Sequence, residues 1–244
     1  MYYDWSYVAA MLLCLLISGY ASGKVKSAYG KYDRVRCMSG MTGRETAVRL
    51  LRANGAMDIA VGRVGGQLTD HYHPAKQIVN LSDSTSGSAS VAAVAVAAHE
   101  VGHVMQNKRG YWPYRLRTAI VPVVNFGSRL AMPLVLIGIL LGSGTMLAGD
   151  SDLGYSLAMI GVFLYGFSVL FALVTLPVEL NASRRAKEML LENNILRAEE
   201  MRGAEKVLSA AAMTYLASLL TSMVSFLRFL LMVLSAFGRR NNRR

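Results

Sequence analysis

His99-Glu100-Val101-Gly102-His103 is a run whose residue types and spacing fit a metal site. On a helix, positions i and i+4 lie one turn apart on the same face, so both imidazoles can reach one ion. Glu100 projects beside them, where its carboxylate can take a proton from a water activated at that ion. The chain has only four histidines in 244 residues, so a chance match to H-E-x-x-H is rare. The competing reading is two core histidines beside a buried acid. An unpaired carboxylate in an apolar helix is costly to bury without a cation, which favours the metal.

Two histidines leave a hydrolytic metal site incomplete, since catalytic zinc has three protein ligands and one open position. The third ligand is a carboxylate or one of His71 and His73. Leu176–Ala186, reading LPVELNASRRA, is the best source, through Glu179. The plainer reading of Glu179 is a first-turn acid after Pro177, favoured by the helix dipole. His73 precedes Pro74 and reads as turn chemistry.

These residues need elements to hold them. The segment Ser84–Lys108 is Ala-rich and apolar on nearly every face before His99. Such a helix is buried all round. Ser84, Thr85 or Ser88 is placed to cap it. Gly102 in its interior costs ~1 kcal/mol relative to Ala, which implies close approach of another backbone, the Glu179 helix being the candidate. Thr42–Asn54 reads as a helix with Thr42 and Glu45 at capping-box spacing and Gly55 as its stop. Ile59–Val64 and Gln77–Ser82 read as strands separated by Gly65-Gly66 and His73-Pro74, giving a small antiparallel sheet.

Composition says where this domain sits. The chain carries 26 Lys and Arg against 15 Asp and Glu, a net charge of +11, yet 53% of its residues are hydrophobic. Mean hydropathy is +0.34. Disorder, a collagen-like chain and a disulfide scaffold are excluded, and a nucleic-acid binder fits poorly. Apolar and basic together point to an integral membrane protein. Trp5–Ser22, Ala131–Ala148 and Leu153–Val178 read as spans. Val207–Phe237 is a fourth apolar stretch interrupted by Arg228. It either crosses once or folds as a re-entrant or in-plane segment, and four crossings is the preferred reading.

Acidic Asp4, Asp150 and Asp152 fall on the predicted outer pieces, whereas 24–118 holds 14 bases against six acids. The positive-inside rule therefore puts 24–118 and 179–206 on the cytoplasmic side. The tail Arg239, Arg240, Arg243 and Arg244 goes against this rule if the fourth stretch crosses once. Lys24–Arg36, with Tyr29 and Tyr32 interleaved, reads as a headgroup contact. Cys14 and Cys37 are too isolated to suggest a disulfide.

Four strings together carry a resemblance: GQLTDHY (Gly66–Tyr72), VAVAAHEVGHVMQ (Val94–Gln106), LRTAIVPVVNFGS (Leu116–Ser128) and LPVELNASRRA (Leu176–Ala186). Over Lys24 to about Leu231 the chain resembles the integral-membrane neutral zinc metallopeptidases, the YugP-like family, of gluzincin type. The resemblance implies one zinc per chain, with His99, His103 and Glu179 as ligands and Glu100 as general base and acid. In related gluzincins an Asp one turn beyond the ligand Glu orients the first His. Ser183 occupies that place here, with Asn181 nearby. His71 and Tyr72 also match the family string, and either is a candidate donor to the oxyanion.

The expected fold is mostly α, an α+β membrane metallopeptidase. It has a minimal gluzincin-like catalytic domain, an active-site helix plus the small antiparallel sheet, and about four transmembrane helices. Its expected segments are an anchor (1–23), a cytoplasmic catalytic segment (24–118), a transmembrane hairpin (119–178), a cytoplasmic helix with the third ligand (179–206), a transmembrane or re-entrant segment (207–237) and a basic tail (238–244). The expected function is zinc-dependent endoproteolysis at the cytoplasmic face of a bacterial-type inner membrane. Expected partners are protein or peptide substrates, membrane proteins above all, and the lipid bilayer, with no nucleic acid. Alternatives are an intramembrane metalloprotease and a non-catalytic membrane scaffold with a vestigial metal site.

Overall fold

Long apolar runs dictate four long helices. A computed structural model describes residues 5–142 and 151–241. Helix α1 is Trp5–Tyr32, α5 is Trp112–Gly142, α6 is Ser151–Glu192 and α7 is Ala198–Asn241. Each is long and apolar enough to cross a membrane. Helix α7 runs 44 residues without a break. The re-entrant hairpin considered for 207–237 is therefore absent, in keeping with the lack of any Gly or Pro within 207–237. Asp4, Asp150 and the end of the tail, Arg243–Arg244, lie outside the described residues.

The chain divides into two compact units. The first holds 1–19, 116–175 and 216–244. Its helices α5 and α6 meet through small residues. A Cβ at Gly161 would lie 2.6 Å from the Ala131 carbonyl oxygen, and one at Gly138 would lie 2.5 Å from that of Gly154. Such contacts let helix backbones approach where lipid supplies no hydrophobic drive for association. Leu15, Leu16 and Phe163 point outward, each more than 60% exposed, as hydrocarbon-facing residues would be. Arg228 lies with its guanidinium 4.3 Å from the Tyr7 ring centroid, a cation–π contact.

The second unit holds 20–115 and 176–215. Helix α2, Gly43–Ala53, has the full capping box: Thr42 accepts from the Glu45 amide, and the Glu45 carboxylate accepts from the Thr42 amide at 2.8 Å. Gly55, at φ +68°, ends it. Strands β1 (Ala60–Val64), β2 (His71–His73) and β3 (Ile78–Ser82) form one sheet in the order β1-β3-β2. The sheet is mixed, which corrects the wholly antiparallel expectation. β1 pairs parallel with β3, Gly62 opposite Asn80, and β2 pairs antiparallel, Tyr72 opposite Val79. The reason lies in the connection. Pro74–Lys76 forms a 3-10 turn that reverses β2 into β3, with His73 accepting from the Lys76 amide. Once β2 holds one edge of β3, β1 takes the other, and its longer crossover sets it parallel.

A short turn, α3 (Asp83–Ser86), leads into α4, Val91–Lys108. Its cap is Ser90, not Ser84, Thr85 or Ser88. Ser90 Oγ accepts from the Ala93 amide at 3.1 Å and donates to Asp33 Oδ1 at 2.9 Å. The three expected caps are spent on α3 and the loop before α4. Around α4 the core gathers Leu50, Leu81, Val94, Val101, Val104, Leu190 and Ile195. Tyr29 is 2% exposed and packs on Ala92 and Val207, so it is a core residue and not a headgroup contact. Cys14 and Cys37 are both free.

Candidate metal centre

Helix α4 supplies one half of the site. Its alanines let it sink into the core, and His99 and His103 emerge on one face with ring centroids 4.7 Å apart. Helix α6 supplies the other half through Glu179, which is 1% exposed. Glu179 Oε2 lies 3.1 Å from His99 Nε2 and 3.4 Å from His103 Nε2. One ligand atom from each of the three residues falls within 4.8 Å of the others, a spacing that suits a single ion.

Gly102 explains how two helices come close enough. A Cβ there would lie 2.6 Å from the Ala182 carbonyl oxygen and 3.2 Å from the Ala182 Cα. The expected close approach is thus made against α6, three residues past Glu179.

Each imidazole is held from behind. Ser183 Oγ lies 3.1 Å from His99 Nδ1. Gln106 Oε1 lies 3.0 Å from His103 Nδ1. The Gln106 amide nitrogen donates to the Val178 carbonyl at 2.7 Å and to Asn181 Oδ1 at 3.0 Å. Asn181 Oδ1 also accepts from Arg185 Nε at 2.8 Å. Asn181 therefore acts on His103 through Gln106, while Ser183 takes the place beside His99.

These bonds fix chemistry. The Val178 carbonyl can only accept, so the Gln106 nitrogen must face it and Oε1 must face His103. His103 Nδ1 then carries the hydrogen, and its Nε2 lone pair points at the Glu179 carboxylate. Two acceptors 3.4 Å apart in a buried site call for a cation between them. Two imidazoles and one carboxylate are a donor set suited to zinc. The residues fit the metal.

Glu100 is buried at 7% exposure on the same helix. Burial pushes its carboxyl up from 4.5 to about 7; the charges of Glu179 and Asp70 add to the rise, and His99 and His71 oppose it. A carboxyl near neutrality is matched to exchanging protons with water.

The segment before β2 is pinned by Asp70. Its Oδ1 accepts from the Ser82 amide at 2.7 Å, and its Oδ2 accepts from Ser82 Oγ and Thr85 Oγ1. His71 follows on β2, with both ring nitrogens engaged. Nδ1 donates to the Thr69 carbonyl at 2.9 Å, and Nε2 accepts from Asn80 Nδ2 at 3.1 Å. Neutral His71 so bonded has no N–H left for an oxyanion. Tyr72 points the other way, and its hydroxyl oxygen accepts from Asn107 Nδ2 at 3.1 Å, one turn beyond His103. Its O–H stays available to donate.

Sequence reasoning missed Gln106 and Tyr114. Gln106 has no exposure at all, and a polar side chain three residues past a ligand on a buried helix was the available signal. Tyr114 is 6% exposed with its ring centroid 6.1 Å from that of His103, and nothing local in the sequence marks it.

Comparison with known proteins agrees with the resemblance. The family described as "Putative neutral zinc metallopeptidase" matches residues 7–234. The "Putative membrane protease YugP" of Bacillus subtilis (strain 168) is 42% identical over 236 residues, covering 97% of this chain and 99% of that protein. No solved structure matches the chain.

Proposed function

The chain belongs to the neutral zinc metallopeptidase family, and from that premise we propose that it is a membrane-anchored, zinc-dependent endopeptidase. The observation that carries this reading is the convergence of His99, His103 and Glu179 with a buried Glu100 on the same helix. When bound, zinc polarises the scissile carbonyl and lowers the pKa of the attacking water. Glu100 Oε takes the proton of that water and delivers it to the leaving amine. Ser183 and Gln106 keep the two imidazoles turned towards Glu179, so the donor atoms need no rearrangement. Of the two proposed oxyanion donors, the Tyr72 hydroxyl beside Asn107 keeps a hydrogen to give, whereas both His71 ring nitrogens are engaged by Thr69 and Asn80.

An extended substrate pairs with the free edge of β2 by β-augmentation. The other sheet edge is partly blunted, since Arg44 Nη1 donates to the Val61 carbonyl at 2.8 Å. Four apolar helices make this a membrane protein. Charge distribution favours a site facing the cytoplasm, in a bacterial-type cytoplasmic membrane, with loops and tails of membrane proteins as substrates.

Metal analysis and a peptide-library digest of wild type and Glu100→Gln in detergent test this. The variant is expected to keep its zinc and lose hydrolysis. Undiminished cleavage by Glu100→Gln, or a wild type without bound metal, refutes the mechanism.

A further inference from the structure

We propose that Ser183 is a positioning residue that lets this metal site empty and refill. Its hydroxyl can serve His99 Nδ1 either as acceptor or as donor. The inference rests on the zinc-peptidase reading above and concerns how that same site holds its ion.

The two imidazoles are backed differently. His103 is locked: Gln106 presents only a carbonyl oxygen, because its nitrogen is spent on Val178 and Asn181. His99 faces a hydroxyl at 3.1 Å, which has one hydrogen to give and two lone pairs to offer. With an ion bound, His99 must present the Nε2 lone pair. Nδ1 then carries the hydrogen and donates to Ser183 Oγ. With no ion, the serine turns its own hydrogen to Nδ1. The ring hydrogen moves to Nε2, which donates to Glu179 Oε2 at 3.1 Å. The empty site is thus left with one good buried hydrogen bond where it would have had a second pair of opposed acceptors.

A carboxylate at 183 could not do this. It only accepts, so it would hold the hydrogen on Nδ1 and aim a lone pair at Glu179 whenever the ion left. It would also make the imidazole a stronger donor to metal. Both effects favour the filled site. With Ser183 behind one histidine and the Gln106 amide behind the other, neither imidazole is backed by charge. The centre therefore holds zinc less tightly than a carboxylate-backed one and leaves the ion more electrophilic.

The test measures zinc dissociation constants by chelator competition on the full-length protein in detergent. It also compares thermal unfolding of metal-free and zinc-loaded forms. Ser183→Asp is expected to bind zinc about 10–100-fold more tightly and to lower the unfolding midpoint of the metal-free form below that of metal-free wild type. Ser183→Ala is expected to bind about tenfold more weakly or worse, and Ser183→Thr, which keeps the hydroxyl, to stay within about threefold of wild type. An Asp variant that binds no more tightly than wild type overturns the proposal, as does an Ala variant with wild-type affinity. Should Ser183→Asp fail to fold, the Ala and Thr variants decide alone. A wild type that binds no zinc overturns both this proposal and the peptidase reading. A wild type that binds zinc indifferently to residue 183 overturns this proposal only.

Discussion

Replacing Gly102 by Ala separates fold stability from metal affinity. The new Cβ would sit 2.6 Å from the Ala182 carbonyl oxygen, against an ordinary contact of about 3.5 Å. Because the obstacle is backbone, no rotamer change relieves it, and α4 and α6 must part by about 0.9 Å. Two opposing terms act on stability. Ala gains ~1 kcal/mol over Gly inside a helix, and overpacking costs roughly 1–3 kcal/mol. Their sum is small enough that the variant should fold. The metal has no such compensation. His99 and His103 ride on one helix and Glu179 on the other, so the whole displacement falls on the Glu179 bond. Metal–ligand distances tolerate about 0.2 Å. A loss of at least about tenfold in zinc affinity follows, which is roughly 1.4 kcal/mol. Chelator competition on Gly102→Ala, with circular dichroism to show retained helix, measures it. Wild-type zinc affinity in a folded Gly102→Ala variant would refute the argument that this contact sets the metal geometry.

Three further outcomes follow from the same geometry. Glu100 binds its proton more tightly folded than unfolded, so the metal-free protein loses stability as pH rises from 4.5 towards 7, by about 3 kcal/mol in all. The sign is that of an acid with a raised folded value: the contribution is full at low pH and gone above 7. Denaturant unfolding at pH 5 and pH 8 should show this slope in metal-free wild type and not in Glu100→Gln. Gln106→Leu leaves the Val178 carbonyl and His103 Nδ1 without their partner; about 1–3 kcal/mol of stability and 10–100-fold in zinc affinity should be lost, read by unfolding and chelator competition. Tyr72→Phe should lower kcat about 100-fold at unchanged zinc content, and more than His71→Ala does, in a peptide-cleavage assay.

How much of this was legible depended on whether the deciding contact was local. The α2 capping box spans four residues, and the spacing of Thr42 and Glu45 shows it outright. The same holds for His99 and His103, set by one helical turn, and for Gly102, whose cost in a helix demands a reason. Strand order was not legible. β2 pairs with β3 from 5–9 residues away but β1 from 18, and alternating β-branched residues carry no direction. The cap of α4 was misplaced because six Ser and Thr crowd 82–90, and only the three-dimensional path assigns Ser90. Gln106 escaped notice because its work is done across the helix pair, on Val178 and Asn181. For the third ligand the residues alone left Glu179 balanced between a ligand and a first-turn acid after Pro177, and the resemblance favoured the ligand; Glu179 in fact lies well inside α6.

Glu179 lies 80 residues after His99. Between them the ribosome must make all of α5 and the apolar length of α6. At synthesis rates of ~5–20 residues per second the interval is about 4–16 s. Throughout it the nascent chain carries both histidines and the catalytic acid but lacks its third ligand. The proposed metal site therefore cannot be completed until α6 has been made, and the order of synthesis sets when its third ligand joins the two histidines.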